Sequence, residues 1–199
     1  MAQMALQLLS GGVVGVNARD GRFLWRYNQT AQNSSANIPT PIYRDGQVYT
    51  SSGRGGGALV RLKTQDGTVQ VEPVYFANRL PNSIGGAVLL GNHLYGTGGA
   101  GLMCVEFATG KVLWQERGIG AGAVCFADER LYLHGENGEV ALIEPAPAGY
   151  REVGRFSPPE PPQRGVSRAW AYPVVANGRL YIRESGALWC YAVRARTDQ

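Results

Sequence analysis

The sequence predicts an all-β fold, a β-propeller built from consecutive four-stranded blades. A phrase of a tight turn, an apolar residue and a tyrosine recurs four times, and the tyrosines lie 46, 37 and 49 residues apart, at Tyr49, Tyr95, Tyr132 and Tyr181. A period of about 40–50 residues is typical of a propeller blade. The 28 glycines and 11 prolines in 199 residues fit many short strands joined by tight turns.

Each complete repeat predicts four antiparallel strands. In the first one, Asp45-Gly46 and Asp66-Gly67 are hairpin turns. The strands predicted around them span residues 42–43, 47–51, 58–63 and 68–76. The same pattern recurs over residues 87–117 and 123–156, which gives about three complete blades.

Both ends of the repeat pattern predict partial blades. At the start we expect only the last two strands of a blade, at residues 12–17 and 21–27, and after a Pro-rich stretch three more strands follow from Tyr172. The total is about 17 strands. The predicted domain organisation is an N-terminal lead-in at residues 1–11, propeller repeats at residues 12–194 and a C-terminal tail at residues 195–199.

Two strand positions carry repeated side chains. Small residues are predicted at one matched position of the third strand, where blades press closely: Gly15, Cys104, Ala141 and Cys190. The fourth strand carries Trp25 and Trp114, and a large aromatic at a fixed strand position favours filling the space between adjacent blades.

Residues 101–114 read Gly-Leu-Met-Cys-Val-Glu-Phe-Ala-Thr-Gly-Lys-Val-Leu-Trp. This segment resembles the pyrroloquinoline-quinone (PQQ) repeat of quinoprotein-type β-propellers, and the resemblance extends over residues 12–193. The stretch from Ile38 to Tyr191 is similar to the C-terminal half of exported bacterial PQQ-like repeat proteins. The resemblance implies part of a seven- or eight-bladed propeller, with full-length relatives in the periplasm or at the cell surface. No signal peptide is visible, so we expect a fragment or a shortened version.

Such relatives usually carry an Asn-His-His-Gly-Gly-like stretch, and here residues 82–86 read Asn-Ser-Ile-Gly-Gly instead. The resemblance also raises an alternative, a PQQ-dependent alcohol dehydrogenase with calcium in the full-length relatives. Adjacent cysteines often accompany that cofactor, whereas Cys104, Cys125 and Cys190 are separated and are predicted to be packed free thiols. We therefore predict no cofactor, no metal site and no catalytic residue.

Other chemical classes find little support. His93 and His134 lie in different repeats without metal-ligand spacing. Residues 96–101 match a G-x-G-x-x-G pattern, but a strand is predicted after them, so they are interpreted as a hairpin turn. The net charge is +4 with scattered arginines, and no stretch reaches about 20 apolar residues, which argues against nucleic-acid binding and a membrane span.

The strand order predicts which face could bind a partner. The loops between second and third strands and those between blades share one face, and loops on a rigid scaffold are where function concentrates. The binding residues predicted there are Arg54, Arg79, Asn82, Arg117, Arg168 and Trp170.

Arginine, tryptophan and asparagine on a rim suit a protein, peptide or glycan partner. The leading hypothesis is a non-catalytic binding or scaffold propeller. The dehydrogenase is the alternative, and a scaffold for outer-membrane protein assembly is a further one. We also expect self-association through open blade edges at residues 12–17 and 187–193.

Overall fold

The computed structural model describes residues 3–32, 37–160 and 168–194. It confirms the all-β prediction, because these residues form five antiparallel sheets in which strands pair in chain order. We call the sheets blades 1 to 5. Beside the strands, the described residues contain a short 3-10 helix at Gln29–Ala31.

The eighteen strands of the described residues divide as three, four, four, four and three. Blade 1 contains β1 (Met4–Leu9), β2 (Gly12–Asn17) and β3 (Phe23–Tyr27). Blade 2 contains β4 (Ile42–Arg44), β5 (Gln47–Ser52), β6 (Gly56–Gln65) and β7 (Thr68–Ala77). Blade 3 contains β8 (Ala87–Leu90), β9 (His93–Gly98), β10 (Gly101–Glu106) and β11 (Val112–Glu116). Blade 4 contains β12 (Gly122–Ala127), β13 (Arg130–Gly135), β14 (Val140–Ile143) and β15 (Glu152–Phe156). Blade 5 contains β16 (Val174–Ala176), β17 (Arg179–Glu184) and β18 (Ala187–Ala192).

The repeated Asp/Asn turns explain the hairpins between first and second strands. Asp45 and Gly46 have φ angles of 48° and 75°, and Asn177 and Gly178 have 53° and 70°. A two-residue turn with positive φ at both positions matches the twist of the strands that flank it. Asp and Asn tolerate this backbone conformation because their short side chains bond locally.

One main-chain hydrogen bond recurs within several blades and marks equivalent positions from one blade to the next. The N–H groups of Leu62, Phe107 and Val193 donate to the first-turn carbonyls of Gly46, Asn92 and Gly178, over 2.7, 2.9 and 3.0 Å. A β-bulge just before this point interrupts the pairing of third and fourth strands in blades 1 to 4. These features define matched positions along the third and fourth strands.

The alignment corrects the predicted row of small residues. The third-strand positions that precede the bulge are Gly15, Leu59, Cys104 and Leu142. Ala141 is therefore one residue out of register, and the position accepts leucine as well as small side chains. The residues opposite them on the fourth strand are Trp25, Tyr75, Trp114 and Gly154. In blade 1 the large residue takes the room that the small one leaves: the indole of Trp25 occupies the space where Gly15 would carry a side chain.

The tryptophans fill the space between blades, as predicted. Trp25 is only 3% exposed and packs with Val48 of blade 2. Trp114 packs against Tyr150 of blade 4, and its Nε1 donates to the carbonyl of Ala146 over 2.8 Å. Trp25 thus joins blade 1 to blade 2, and Trp114 joins blade 3 to blade 4.

The start of the chain differs from the prediction. Residues 4–9, assigned to a lead-in, form β1, which pairs with β2 from Met4↔Asn17 to Leu9↔Gly12. Blade 1 therefore has three strands instead of two, and β2 is an inner strand of its sheet instead of an open edge. The sequence signal was weak because Leu6 stands where the later second strands carry tyrosine.

The cysteines only partly follow the prediction of packed thiols. All three are free; Cys104 is buried, Cys125 is half-buried and Cys190 is exposed. Burial raises the pKa of the Cys104 thiol and raises that of Cys125 to about 11. Packing thus accounts for Cys104, whereas Cys190 lies on β18, at the outer edge of its sheet among the described residues.

Glycines are required at the start of the third strand. Gly12, Gly56 and Gly101 have φ angles of 124°, 71° and 121°. A Cβ atom at these positions would lie 2.3 to 2.7 Å from a carbonyl oxygen at the end of the fourth strand. Gly98 and Gly101 flank the β9–β10 hairpin turn, which confirms the structural interpretation of the G-x-G-x-x-G pattern.

Candidate binding face

The turns between second and third strands lie on the same side as the connections between blades. We call this side the loop face. Main-chain hydrogen bonds join neighbouring loops there: the N–H of Glu136 donates to Ala121 O over 2.8 Å, and that of Ala169 donates to Glu136 O over 3.1 Å. The loop face is therefore a connected layer held by the blades beneath it.

Buried polar side chains fasten the connections to the blades. Thr97, fully buried at the end of β9, donates from Oγ1 to the carbonyl of Gly122 over 2.7 Å, and the Gly122 N–H donates back over 3.1 Å. His134 occupies the matched position of β13, and its Nδ1 lies 2.9 Å from the carbonyl oxygen of Ala171. The second strands β9 and β13 thus hold the chain that leads into the following blade.

A first pocket opens on the loop face between blades 2 and 3. It encloses about 290 Å³, and Arg79 and Asn82 line it together with the turn at Gly98–Ala100. The Asn82 amide donates to the carbonyls of Gly53 and Asn78 over 3.2 and 3.4 Å, which orients it at the wall. Arg79 is exposed and forms no ion pair within the described residues.

A second pocket opens one blade further on, between blades 3 and 4. It encloses about 430 Å³ and is lined by Arg117, Arg168, Glu136 and Glu139. Arg168 forms an ion pair with Glu136, so its charge is already compensated. Arg117 is exposed and has no ion-pair partner in the part of the chain that the structure describes. Glu139 lies 3.9 Å from Arg155, so of the four charged side chains on this lining only Arg117 has no ion-pair partner among the described residues.

Trp170 lies between two anchored residues and is displayed to solvent. The preceding Ala169 is buried and bonded to Glu136 O, and the following Ala171 accepts the contact from His134. The Trp170 side chain is 51% exposed and lines neither pocket. Because its neighbours are held, the ring is presented on a defined part of the backbone.

The predicted site residues thus lie in two neighbouring pockets and on the loops beside them. Arg79 and Asn82 share one pocket, Arg117 and Arg168 share the other, and Arg54 is exposed on the turn beside the first. Sequence reasoning missed Glu136 and Glu139. Their signal was available, since the β13–β14 turn matches the turn at Gly53 that had been assigned to the same face.

Three connections also meet near Gly86. The Tyr172 hydroxyl donates to the carbonyl of Ile84 over 3.1 Å. An added Cβ at Gly86 would lie 3.1 Å from the same hydroxyl oxygen and 4.0 Å from Pro39. Residues 82–86, where relatives were expected to carry a histidine pair, therefore have a packing role that joins the approaches to blades 2, 3 and 5.

The described residues do not fit a calcium-bound quinone. Among them, no three His, Cys, Asp or Glu side chains lie close enough together to hold a metal ion. Calcium takes six or more oxygen ligands, with carboxylates prominent among them. Asp45 and Asp128 instead occupy hairpin turns between first and second strands, on the side opposite the loop face.

In the part of the chain that the structure describes, no helix has the length and apolar character needed to cross a bilayer.

The architecture, consecutive antiparallel blades joined through aromatic interfaces, defines a β-propeller of the PQQ-like repeat class. A sequence model described as "Outer membrane protein assembly factor BamB" matches residues 2–116, more than half of the chain. The chain belongs to this family of PQQ-like repeat proteins.

Solved structures agree on the fold. BamB from Moraxella catarrhalis superposes with a TM-score of 0.65 at 16% identity, over 94% of this chain and 52% of that one. The computationally designed Ika8 protein gives 0.64 at 10% identity, over 97% and 56%. The N-terminal domain of Nup159 gives 0.53 at 10% identity, over 93% and 57%.

The chain therefore spans about half the length of these structures. Among curated proteins, none matches the sequence significantly.

Proposed function

We propose that this chain is a non-catalytic scaffold in outer-membrane protein assembly and that it holds a protein partner on the loop face. The family supports the process, since the matching model is described as an outer-membrane protein assembly factor. Export of the protein to the periplasm is part of this proposal. One observation carries the binding role: consecutive inter-blade pockets each present an exposed arginine without a carboxylate partner among the described residues.

The chemistry of the face favours an acidic protein segment. Arg79 and Arg117 lie on successive blade connections, so an extended segment that crosses both connections could place one carboxylate at each pocket. Arginine binds carboxylates with two parallel hydrogen bonds, which adds orientation to charge attraction. Arg54 and Trp170 widen the contact beyond the pockets, and exposed tryptophan and arginine are frequent anchors of protein interfaces.

The rigidity of the loop face reduces the conformational entropy that would be lost when a partner binds. The connections that carry Arg117 and Trp170 are tied to the blades through Thr97 and His134. A surface that is already ordered loses less conformational entropy when a partner binds. The loop face is therefore suited to be a preorganised platform.

Affinity capture from outer-membrane extracts of the source organism tests the proposal. The tagged chain is expected to recover identified outer-membrane assembly proteins. The double variant Arg79→Ala/Arg117→Ala is expected to recover about tenfold less of them, because each rim charge contributes up to about 1 kcal/mol to binding. Recovery should also fall as salt rises, since exposed charges are screened.

The matched control removes two arginines from the opposite side, Arg19→Ala/Arg22→Ala, in the β2–β3 turn. It should bind like the unmodified chain. The proposal fails if no assembly protein is identified, or if both double variants bind equally well. Self-association through the edge strands β1 and β18 stays a separate prediction, and light scattering of the purified chain tests it.

A further inference from the structure

The interface between blades 4 and 5 lacks the side chain that fills the earlier interfaces. The matched fourth-strand residues of blades 1, 2 and 3 are Trp25, Tyr75 and Trp114, and each packs toward the next blade. In blade 4 this residue is Gly154, opposite Leu142. The nearest atom to a Cβ added at Gly154 would be the Leu142 Cβ, at 3.9 Å. Space for a side chain is therefore present but unused.

An apolar pocket of about 310 Å³ occupies this interface. Gly154 and the neighbouring Arg155 lie on its wall, with further lining from both blades: Tyr132, Val140, Leu142, Phe156, Leu180 and Val193. Phe156 contacts Tyr191 edge to face, with ring centroids 4.8 Å apart, so it closes only part of the space. The pocket is separate from the two on the loop face and shares no residue with them.

The filled interfaces show what such a space accepts. The Tyr75 hydroxyl donates to Phe107 O over 3.0 Å, and Trp114 Nε1 donates to Ala146 O over 2.8 Å. Both acceptors lie just beyond the third strand of the next blade. Val193 is matched to Phe107 by its hydrogen bond to the first turn, and it lines the pocket. In the remaining filled interface, Trp25 Nε1 donates instead to Met4 Sδ of its own blade, over 3.4 Å. The pocket therefore combines largely apolar walls with the backbone position that receives an aromatic donor in two of the three filled interfaces.

We propose that the pocket beside Gly154 binds one planar aromatic group that carries an N–H or O–H donor, of the shape of an indole. The argument rests on internal comparison: the same fold positions hold an indole in blades 1 and 3 and a phenol in blade 2. An aromatic group from outside would complete the fourth interface. Apolar cavities left by missing side chains bind aromatic molecules in this manner.

Thermal unfolding of the purified chain with indole tests the site. At ten times its dissociation constant, indole should raise the melting temperature by about 3–5 °C for a chain of this size. A blocked Gly-Trp-Gly peptide forms the second arm. Binding of both probes assigns a tryptophan side chain of a partner, whereas binding of indole alone assigns a small aromatic molecule.

Gly154→Trp fills the pocket from within. It should raise the melting temperature without ligand and abolish the response to indole, and Gly154→Leu, a smaller filling, should weaken that response at least several-fold. The control Gly186→Trp adds the same ring in the exposed β17–β18 turn, where nothing lies within 4 Å, and should keep the response. The proposal is overturned if neither probe binds, or if the Gly154 variants respond like the Gly186 variant.

Discussion

An aromatic side chain fills the interface between blades 3 and 4, whereas the equivalent position between blades 4 and 5 is a glycine. In the first, Trp114 lies between Tyr95 and Tyr150, with ring centroids 6.1 Å away on each side. In the second, Gly154 leaves a cavity beside Phe156. Both interfaces nevertheless use a buried polar residue, Thr97 or His134, to hold the loop face. The anchoring of the loops therefore does not depend on how completely the outer part of an interface is filled.

The largest expected effect is at the filled interface. Trp114→Ala removes the ring contacts and the hydrogen bond to Ala146, and we expect the free energy of unfolding to fall by about 3–4 kcal/mol. Phe156→Ala should cost about half as much, because this ring already borders a cavity. Urea unfolding of both variants measures the difference. Equal losses would contradict the contrast between the interfaces.

The anchor of the loop face gives a smaller effect. Thr97→Val keeps the shape of the side chain but leaves the N–H and carbonyl of Gly122 without their buried partner. Loss of a buried hydrogen-bond partner costs about 1–3 kcal/mol. Chemical denaturation gives the stability, and hydrogen exchange at Gly122 should accelerate. Thr109→Val, at an exposed turn, is the control. Unchanged exchange at Gly122 would show that Thr97 does not hold the connection.

The smallest effect concerns pH. The guanidinium of Arg155 donates two hydrogen bonds to Glu152, over 2.8 and 2.9 Å, and lowers the pKa of that carboxyl. A lowered pKa contributes stability that is present above the ordinary pKa of glutamate, about 4.3, and is lost as pH falls through the lowered value. Because this pair is exposed to solvent, which screens it, the contribution is expected to be small.

Acid titration of stability in the unmodified chain and in Glu152→Gln measures this difference. The variant should lose less stability between about pH 5 and pH 2. Parallel curves would mean that the Arg155 pair does not stabilise the β15 side of blade 4.

Much of the fold follows from local chemistry. The turns at Asp45-Gly46 and Asn177-Gly178 are readable because few residues accept positive φ, and the tyrosines that follow them mark the second strands. The strand β1 was missed because Leu6 stands where the later second strands carry tyrosine, so only the pairing with β2 reveals it. Matching by residue size placed Ala141 one position out, since a bulge, which pairing alone reveals, defines the true register.

The binding face was predictable only as a set of loops. The antiparallel strand order predicts that the connections carrying Arg79 and Arg117 share one face. In the structure both arginines lie on the loop face. Which charges are already compensated could not be predicted, because the pairing of Arg168 with Glu136 joins residues from different loops. Arg79 and Arg117 stand out only after such partners are known.

The sequence by itself determined the blade period, the hairpin turns and the aromatic positions, because each depends on interactions within a few residues or within one repeat. Tertiary structure decided what happens between blades: the shared register of Trp114 and Gly154, the anchoring of loops by Thr97 and His134, and the cavity beside Phe156. Contacts between sheets join residues about 30 positions apart, and no local pattern specifies how completely their side chains fill the space.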